Sequence, residues 1–313
     1  MYTRSQLIAM QKKQLYIKIG KAQARIMEYV REMKGRVYVS VSGGLDSVVL
    51  LYIVRQLYPE TLGVYCDTRL DYPGNRQLIK TIPNIGWVKP KMRFQEVIEK
   101  YGYPVVSKEL ARAIYYARRG SEWALKKLDG QFKDGTPSDN YKRFIKYKHL
   151  LEAPFLISDA CCNELKCKPM SRFETASGLH PITGMRAEES FLRQSAWMKH
   201  GCNALDVKRP ISNPLSIWTH QDILWFIRQY KVPYSYEYGA IVPADDQLSL
   251  FEPPKLKTTG CRKTGCAACL FGIQNETEPN RFQLMKSKHP KLYSYCIDTL
   301  KCGMVMDYMN IKY

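Results

Sequence analysis

Apolar positions along this chain fall into short runs separated by turn-forming residues. Between residues 36 and 54 a β-branched run, Val37, Tyr38, Val39 and Val41, stops at Ser42-Gly43-Gly44-Leu45-Asp46-Ser47, and an apolar helical run follows at once. The pattern predicts a strand, a tight turn and a helix. Residues 4–34 place Ile19, Ile26, Val30 and Met33 at helical spacing among Lys and Arg, which predicts one amphipathic helix packed on the sheet that follows. Further strands are predicted over 61–68, ending in Asp67, and over 85–89, with helices over 92–101 and 107–119. Gly, Asp, Ser and Pro over 120–140 predict a flexible insertion. The stretch from Pro214 to Ile227 reads as an amphipathic helix with Thr219 as its cap, Asp222 at the third helical position and His220 exposed at its start. Residues 231–260, rich in Tyr, Pro and Asp, read as a lid or linker, and the tail from Lys301 to Tyr313 as an element that packs.

The turn at Ser42 carries the first candidate chemistry. Gly43 and Gly44 permit positive φ and close backbone approach, while Asp46 and Ser47 can cap a helix whose free N–H groups favour an anion. It is therefore a candidate phosphate cradle. Neither Gly-x-x-x-x-Gly-Lys-Ser/Thr nor Gly-x-Gly-x-x-Gly occurs, so the ordinary P-loop and the dinucleotide fingerprint are not indicated. Asp67 and Thr68 fall near the same ligand if the first two strands are parallel neighbours. Arg186 and Arg193 offer guanidinium forks suited to phosphate or sulfate oxygens, with surface pairing to Glu188 or Glu189 as the plainer alternative.

Charge widens the range of ligands. Lys+Arg 48 against Asp+Glu 29 over 313 residues gives +19, which favours a polyanionic partner; DNA or RNA and a merely well-solvated basic surface are equal alternatives. Arg112, Arg118, Arg119, Lys126 and Lys127 crowd together, as a solvated helix face or a nucleic-acid groove. No apolar run of 18 or more residues exists and the N-terminus lacks an apolar signal core. Neither a membrane span nor a secretory signal is expected, and a cytoplasmic location is.

Ten cysteines without a signal sequence point to reduced thiols, metal ligation or redox chemistry. Cys261, Cys266 and Cys269 stand in Cys-x4-Cys-x2-Cys spacing, which lets thiolates converge on an iron–sulfur cluster or zinc. Taken alone this is the plant-type [2Fe–2S] spacing, with Cys296 as a candidate fourth ligand. Adjacent Cys161 and Cys162 are poorly placed to pair with each other, and Cys66 reads as a buried strand thiol.

Ser42 to Ser47 resembles the PP-loop of the ATP pyrophosphatase superfamily. Residues 36–313 also resemble the phosphoadenosine phosphosulfate reductase family. Asp67-Thr68-Arg69-Leu70-Asp71-Tyr72-Pro73 is similar to its Asp-Thr-Gly-x-Glu-Tyr-Pro segment, with Arg69 in place of Gly, and Tyr101 to Glu109 matches a further stretch. Gly184 to Arg193 matches its Gly-x-Arg-x-x-Glu-Ser-x-x-Arg block. The resemblance implies an α/β fold of the adenine nucleotide alpha hydrolase type, an open, mostly parallel twisted sheet with helices on both faces, plus a C-terminal cysteine-rich region. It implies ATP and Mg²⁺ at Ser42, Gly43, Gly44, Asp46, Ser47, Asp67, Thr68, Gly184, Arg186 and Arg193, with Asp46, Ser47 and Arg186 catalytic. Attack at the α-phosphate would release pyrophosphate and transfer AMP.

Carried over from the cluster-bearing adenylylsulfate reductases, the ligands of a [4Fe–4S] cluster are Cys161, Cys162, Cys266 and Cys269, with Cys261 a substitute for Cys161; zinc is a third choice. The chain also resembles the ATPases of DNA phosphorothioation and the tRNA thiolases. That implies a DNA or RNA acceptor and a sulfur-donor protein such as a cysteine desulfurase. Sulfonucleotide reductases carry a C-terminal Glu-Cys-Gly-x-His nucleophile and an altered phosphate loop, whereas this chain has Lys301-Cys302-Gly303-Met304 and keeps the ATP-type loop. Reduction of adenylyl sulfate or its 3′-phosphate through Cys302, and a non-catalytic nucleotide- and cluster-binding subunit, are the rival expectations. The expected organisation is an N-terminal helix over 1–35, a nucleotide-binding domain over 36–230 and a cysteine-rich region over 231–313 packed on it.

Overall fold

The computed structural model describes residues 1–244 and 254–313. Contacts divide the chain into two compact units, each assembled from separated stretches. The first comprises Met1–Asp67, Asp71–Val88 and Met170–Gly265; the second comprises Thr68–Leu70, Lys89–Pro169 and Cys266–Tyr313. Contacts therefore do not divide at 35 and 230. The reason is visible in the core: Leu7, Ala22, Ile26 and Tyr29 from the N-terminal helices are buried with the sheet residues Val37, Val39 and Val41.

The first unit is built on six strands: β1 (Val37–Val41), β2 (Gly63–Cys66), β3 (Ile85–Val88), β4 (His180–Ile182), β5 (Asn203–Ala204) and β6 (Ile211–Ser212). Their order is β3-β2-β1-β4-β6-β5, parallel except for β5 against β6. Successive β1 side chains point to opposite faces. Val37, Val39 and Val41 join the helices Leu15–Glu32, Leu45–Leu57 and His220–Tyr230 in the main core, while Tyr38 meets Phe173 of helix Lys168–Ser177 edge-on at 5.3 Å on the other face. The fold is thus the open, mostly parallel α/β sheet with helices on both faces that the sequence implies. The chain runs outward from β1 to β2 and β3 and then returns to place β4 on the other side of β1, so the strand order reverses between β1 and β4. The carboxyl ends of β1 and β4 form the switch point where such sheets bind ligands.

The single helix expected over 4–34 is two, Arg4–Gln11 and Leu15–Glu32, since the polar run Gln11-Lys12-Lys13-Gln14 has nothing apolar to bury. Thr219 and Asp222 form the expected capping box of helix His220–Tyr230. Cys66 closes β2 and is half-buried rather than buried. Within 231–260, β7 (Ile241–Pro243) pairs with β8 (Leu256–Thr258), and Tyr238 and Leu256 enter the core; 245–253 lie outside the described residues.

The second unit is mainly helical. Helices Phe94–Tyr101 and Lys108–Ala117 match the predicted ones. The stretch 120–140 is ordered structure: helix Glu122–Leu128 buries Ala124 and Leu128, and a turn follows, closed by Phe132 N–H to Thr136 O at 2.8 Å and Ser138 N–H to Gly130 O at 2.8 Å. Turn-forming residues concealed an i, i+4 apolar pair. The tail forms helix Cys302–Tyr308 with Cys302, Val305 and Met306 buried, as the expectation of a packed tail requires.

Candidate active site

β1 ends at Val41, and the chain turns through Ser42 and Gly43 into helix Leu45–Leu57, with Gly44 at its N-cap. Gly43 has φ +77°, and a Cβ there would stand 2.9 Å from Asn75 Cβ, so only glycine fits. The Ser47 hydroxyl donates to the Gly44 carbonyl at 2.8 Å and accepts the Ser42 N–H at 3.1 Å, closing the loop on itself. Ser42 remains exposed and Asp46 half-buried in the first helical turn. Helix N–H groups and the dipole end at this loop suit an anion.

Gly184, just beyond β4, abuts this loop. A Cβ on Gly184 would lie 2.9 Å from the Asp46 carbonyl oxygen and 3.2 Å from Ser47 N, both backbone atoms that cannot step aside. Gly184→Ala is expected to displace the loop and weaken nucleotide binding by about tenfold or more, roughly 1.4 kcal/mol. A fluorescent ATP analogue titrated against variant and parent would read this. Unchanged affinity would disprove the contact's role.

Arg186 is 2% exposed and donates through Nε to Asp46 Oδ1 at 2.5 Å, while an Nη pairs with Glu188. Glu188 also accepts the His220 N–H at 2.7 Å, so the start of helix His220–Tyr230 is tied to the same network. Arg193 pairs with Glu189, which has Lys263 Nζ 3.7 Å from its other oxygen. Burial holds Arg193, Lys263 and His220 below their ordinary pKa values, and the charge of Arg186 pushes each the same way. An arriving anion would relieve that repulsion. Both arginines are ion-paired, Arg186 with Asp46 and Glu188 and Arg193 with Glu189, so the plainer alternative of pairing holds for each, although Arg186 is buried rather than at the surface.

Three further residues complete this wall of the loop, and the sequence did not reveal them. Thr264 Oγ1 accepts from Asn75 Nδ2 at 2.7 Å and shares a hydrogen bond of 2.7 Å with the Tyr238 hydroxyl. A Cβ on Gly44 would sit 3.5 Å from that hydroxyl and 3.9 Å from Thr264 Oγ1. Asn75 is 1% exposed, and its Oδ1 finds no partner among the described residues. Thr264 lies inside the Cys261–Cys266 interval. Asp67 is buried directly after β2 and accepts from Arg76 at 3.0 Å. Thr68 is buried in the second unit, its hydroxyl accepting the Leu70 N–H at 3.2 Å. Arg69 takes φ +60°, a left-handed conformation that a glycine would adopt without strain.

Cys161, Cys162, Cys266 and Cys269 all belong to the second unit, and Cys261 to the first. Cys161 and Cys162 sit on the short helix Ala160–Cys162, before a π-turn over Asn163–Cys167. Their mutual hydrogen bond and burial push the Cys161 thiol up, with Cys269 and Cys266 adding to the effect. The same bond holds the Cys162 thiol down, helped by Lys108 and Lys166. The Cys266–Cys269 turn is closed by a 3.1 Å backbone bond, and Arg281 donates to the Cys269 carbonyl at 3.1 Å. The four thiols are thus in one electrostatic neighbourhood. Among the described residues no three His, Cys, Asp or Glu side chains are grouped to hold a metal ion. The all-thiol donor set is nevertheless of the kind that suits an iron–sulfur cluster. Cys296 and Cys302 are fully buried; burial raises Cys296 to about 12 and Cys302 further.

Residues 36–270 match the model of the phosphoadenosine phosphosulfate reductase domain. The chain belongs to this family. No curated protein matches it. Among solved structures, the phosphoadenylyl-sulfate reductase of Candida auris, crystallised as a phosphate complex, is 16% identical, with a TM-score of 0.39, covering 75% of this chain and 91% of that one. The family match spans the loop, the Gly184–Arg193 block and all five of the cysteines singled out as ligands or substitute ligand.

Proposed function

We propose that the protein is a PP-loop ATP pyrophosphatase that adenylates a substrate oxygen in preparation for sulfur insertion, with a nucleic acid as acceptor. The ATP-type loop Ser42–Ser47, with Asp46 held by buried Arg186, carries the reading. The β- and γ-phosphates of ATP lie against the loop and the helix start, and Arg186, Arg193 and Lys263 balance their charge. Mg²⁺, when bound near Asp46, would neutralise phosphate charge as a Lewis acid. The acceptor oxygen bonds to the α-phosphorus, the bond to the bridging oxygen breaks, and pyrophosphate leaves. In the second step a sulfur nucleophile from a donor protein bonds to the activated carbon or phosphorus, and AMP departs with the oxygen. Cys161, Cys162, Cys266 and Cys269 would hold a [4Fe–4S] cluster, whose chemistry is to bind sulfur or supply electrons.

Anaerobic incubation with Mg-ATP, with and without DNA or tRNA, is expected to release pyrophosphate and AMP faster with one nucleic acid. No release under any condition would overturn the proposal in favour of a non-catalytic subunit. Sulfonucleotide reduction has less support, because its one C-terminal thiol candidate, Cys302, is fully buried and its pKa raised by that burial. Cys302→Ser is expected to leave pyrophosphate release within about twofold of the parent. Sulfite formation that disappears in this variant would instead establish the reductase.

A further inference from the structure

A cleft of 440 Å³ in the second unit is lined by Tyr101, Lys108, Arg112, Tyr115 and Tyr116 and reaches Cys162. Two nitrogens of Arg112 donate to one oxygen of Asp159 at 3.0 and 2.7 Å, which fixes the guanidinium plane. Tyr115 carries the Arg119 guanidinium 3.5 Å from its ring centroid and meets Tyr116 edge-on at 5.4 Å; Tyr116 in turn lies 5.7 Å from Trp123. Tyr116, at 44%, and Trp123 beside it, at 38%, are exposed, while Tyr101 and Tyr115 are half-buried. Residues 89–169 contain 17 Lys and Arg against 10 Asp and Glu, so the surrounding surface is cationic as well.

Exposed π faces interleaved with cations along a groove are what an unpaired nucleic-acid strand requires: bases stack on the rings and phosphates meet the cations. A duplex presents no free base face, and an apolar peptide would have no use for the charges. We propose that this cleft binds one or two unstacked nucleotides of a single-stranded nucleic acid. It rests on the nucleic-acid acceptor of the proposed function and specifies where, and in which form, that acceptor is held.

The test is fluorescence anisotropy of the full-length protein with a 20-nucleotide oligodeoxynucleotide, the matching oligoribonucleotide and the DNA duplex, without ATP. One or both single strands are expected to bind at least tenfold more tightly than the duplex, and to weaken as salt rises. Tyr116→Ala and Arg112→Gln should each weaken single-strand binding by about tenfold, with Tyr116→Phe restoring it. Equal binding of duplex and single strands, parent-like affinity of both variants, or no binding at low salt would each overturn the proposal. Pyrophosphate release is read separately. Variant-sensitive binding without release would remove the adenylation reading alone, whereas stimulated release in variants that bind normally would remove only this cleft.

Discussion

Asp46→Ala is expected to lower pyrophosphate release by about three orders of magnitude or more, on the order of 4 kcal/mol. Two losses combine in this variant. The phosphate loop loses its only carboxylate, the group placed to meet a phosphate-bound cation. Arg186, 2% exposed, loses the partner at 2.5 Å that fixes its guanidinium, and is left to Glu188 alone. Asp46→Asn preserves shape and an acceptor for Arg186 but not charge, so it separates the effects. If charge at the cation is what matters, Asn behaves like Ala; if positioning of Arg186 dominates, Asn recovers much of the rate. Release within tenfold of the parent in the alanine variant would refute the assigned loop.

The second large effect concerns stability. Lys18 is 2% exposed and pairs at 2.6 Å with Asp222, whose same oxygen accepts from the N–H of Thr219 at 2.6 Å and its hydroxyl at 2.8 Å. One carboxylate therefore neutralises a buried ammonium and caps helix His220–Tyr230. Asp222→Ala leaves the ammonium uncompensated and is expected to cost roughly 3–5 kcal/mol in urea unfolding. Lys18→Met combined with Asp222→Leu should recover most of the pair's share, because a buried ion pair gains little over well-packed apolar side chains, leaving about 1 kcal/mol for the lost cap. A loss below about 1 kcal/mol in the single variant would mean that the ammonium finds another counter-charge.

What the sequence disclosed follows from the range of the forces involved. The loop Ser42–Ser47 is local: strand, turn and cap are encoded by neighbours, and so is the Thr219–Asp222 capping box. Gly184 and Arg186 belong to a motif legible in the sequence, although the steric reason for Gly184 lies in the approach of two backbones distant in sequence. Asn75, Tyr238 and Thr264 gave no signal, since neutral hydrogen-bonding residues far apart in the chain have neither periodicity nor charge to announce them. The two-unit organisation was hidden for the same reason. Val106 bridges to Phe271 and Tyr103 to Ile157, pairings across long separations that no local pattern encodes. At 120–140 the turn-forming composition outweighed the Ala124–Leu128 spacing.

The helix that begins at the phosphate loop has only Gln56 exposed between Leu45 and Leu57. Its apolar residues Val48, Val49, Leu50, Leu51, Ile53 and Val54 are all buried in the main core. A helix so enclosed cannot fray without opening the core around it, so the loop belongs to the most slowly opening part of the first unit rather than to its mobile fringe. Its entropy is surrendered during folding, before any nucleotide arrives. On the proposed function, the cradle meets its ligand already shaped, without closure of the loop itself.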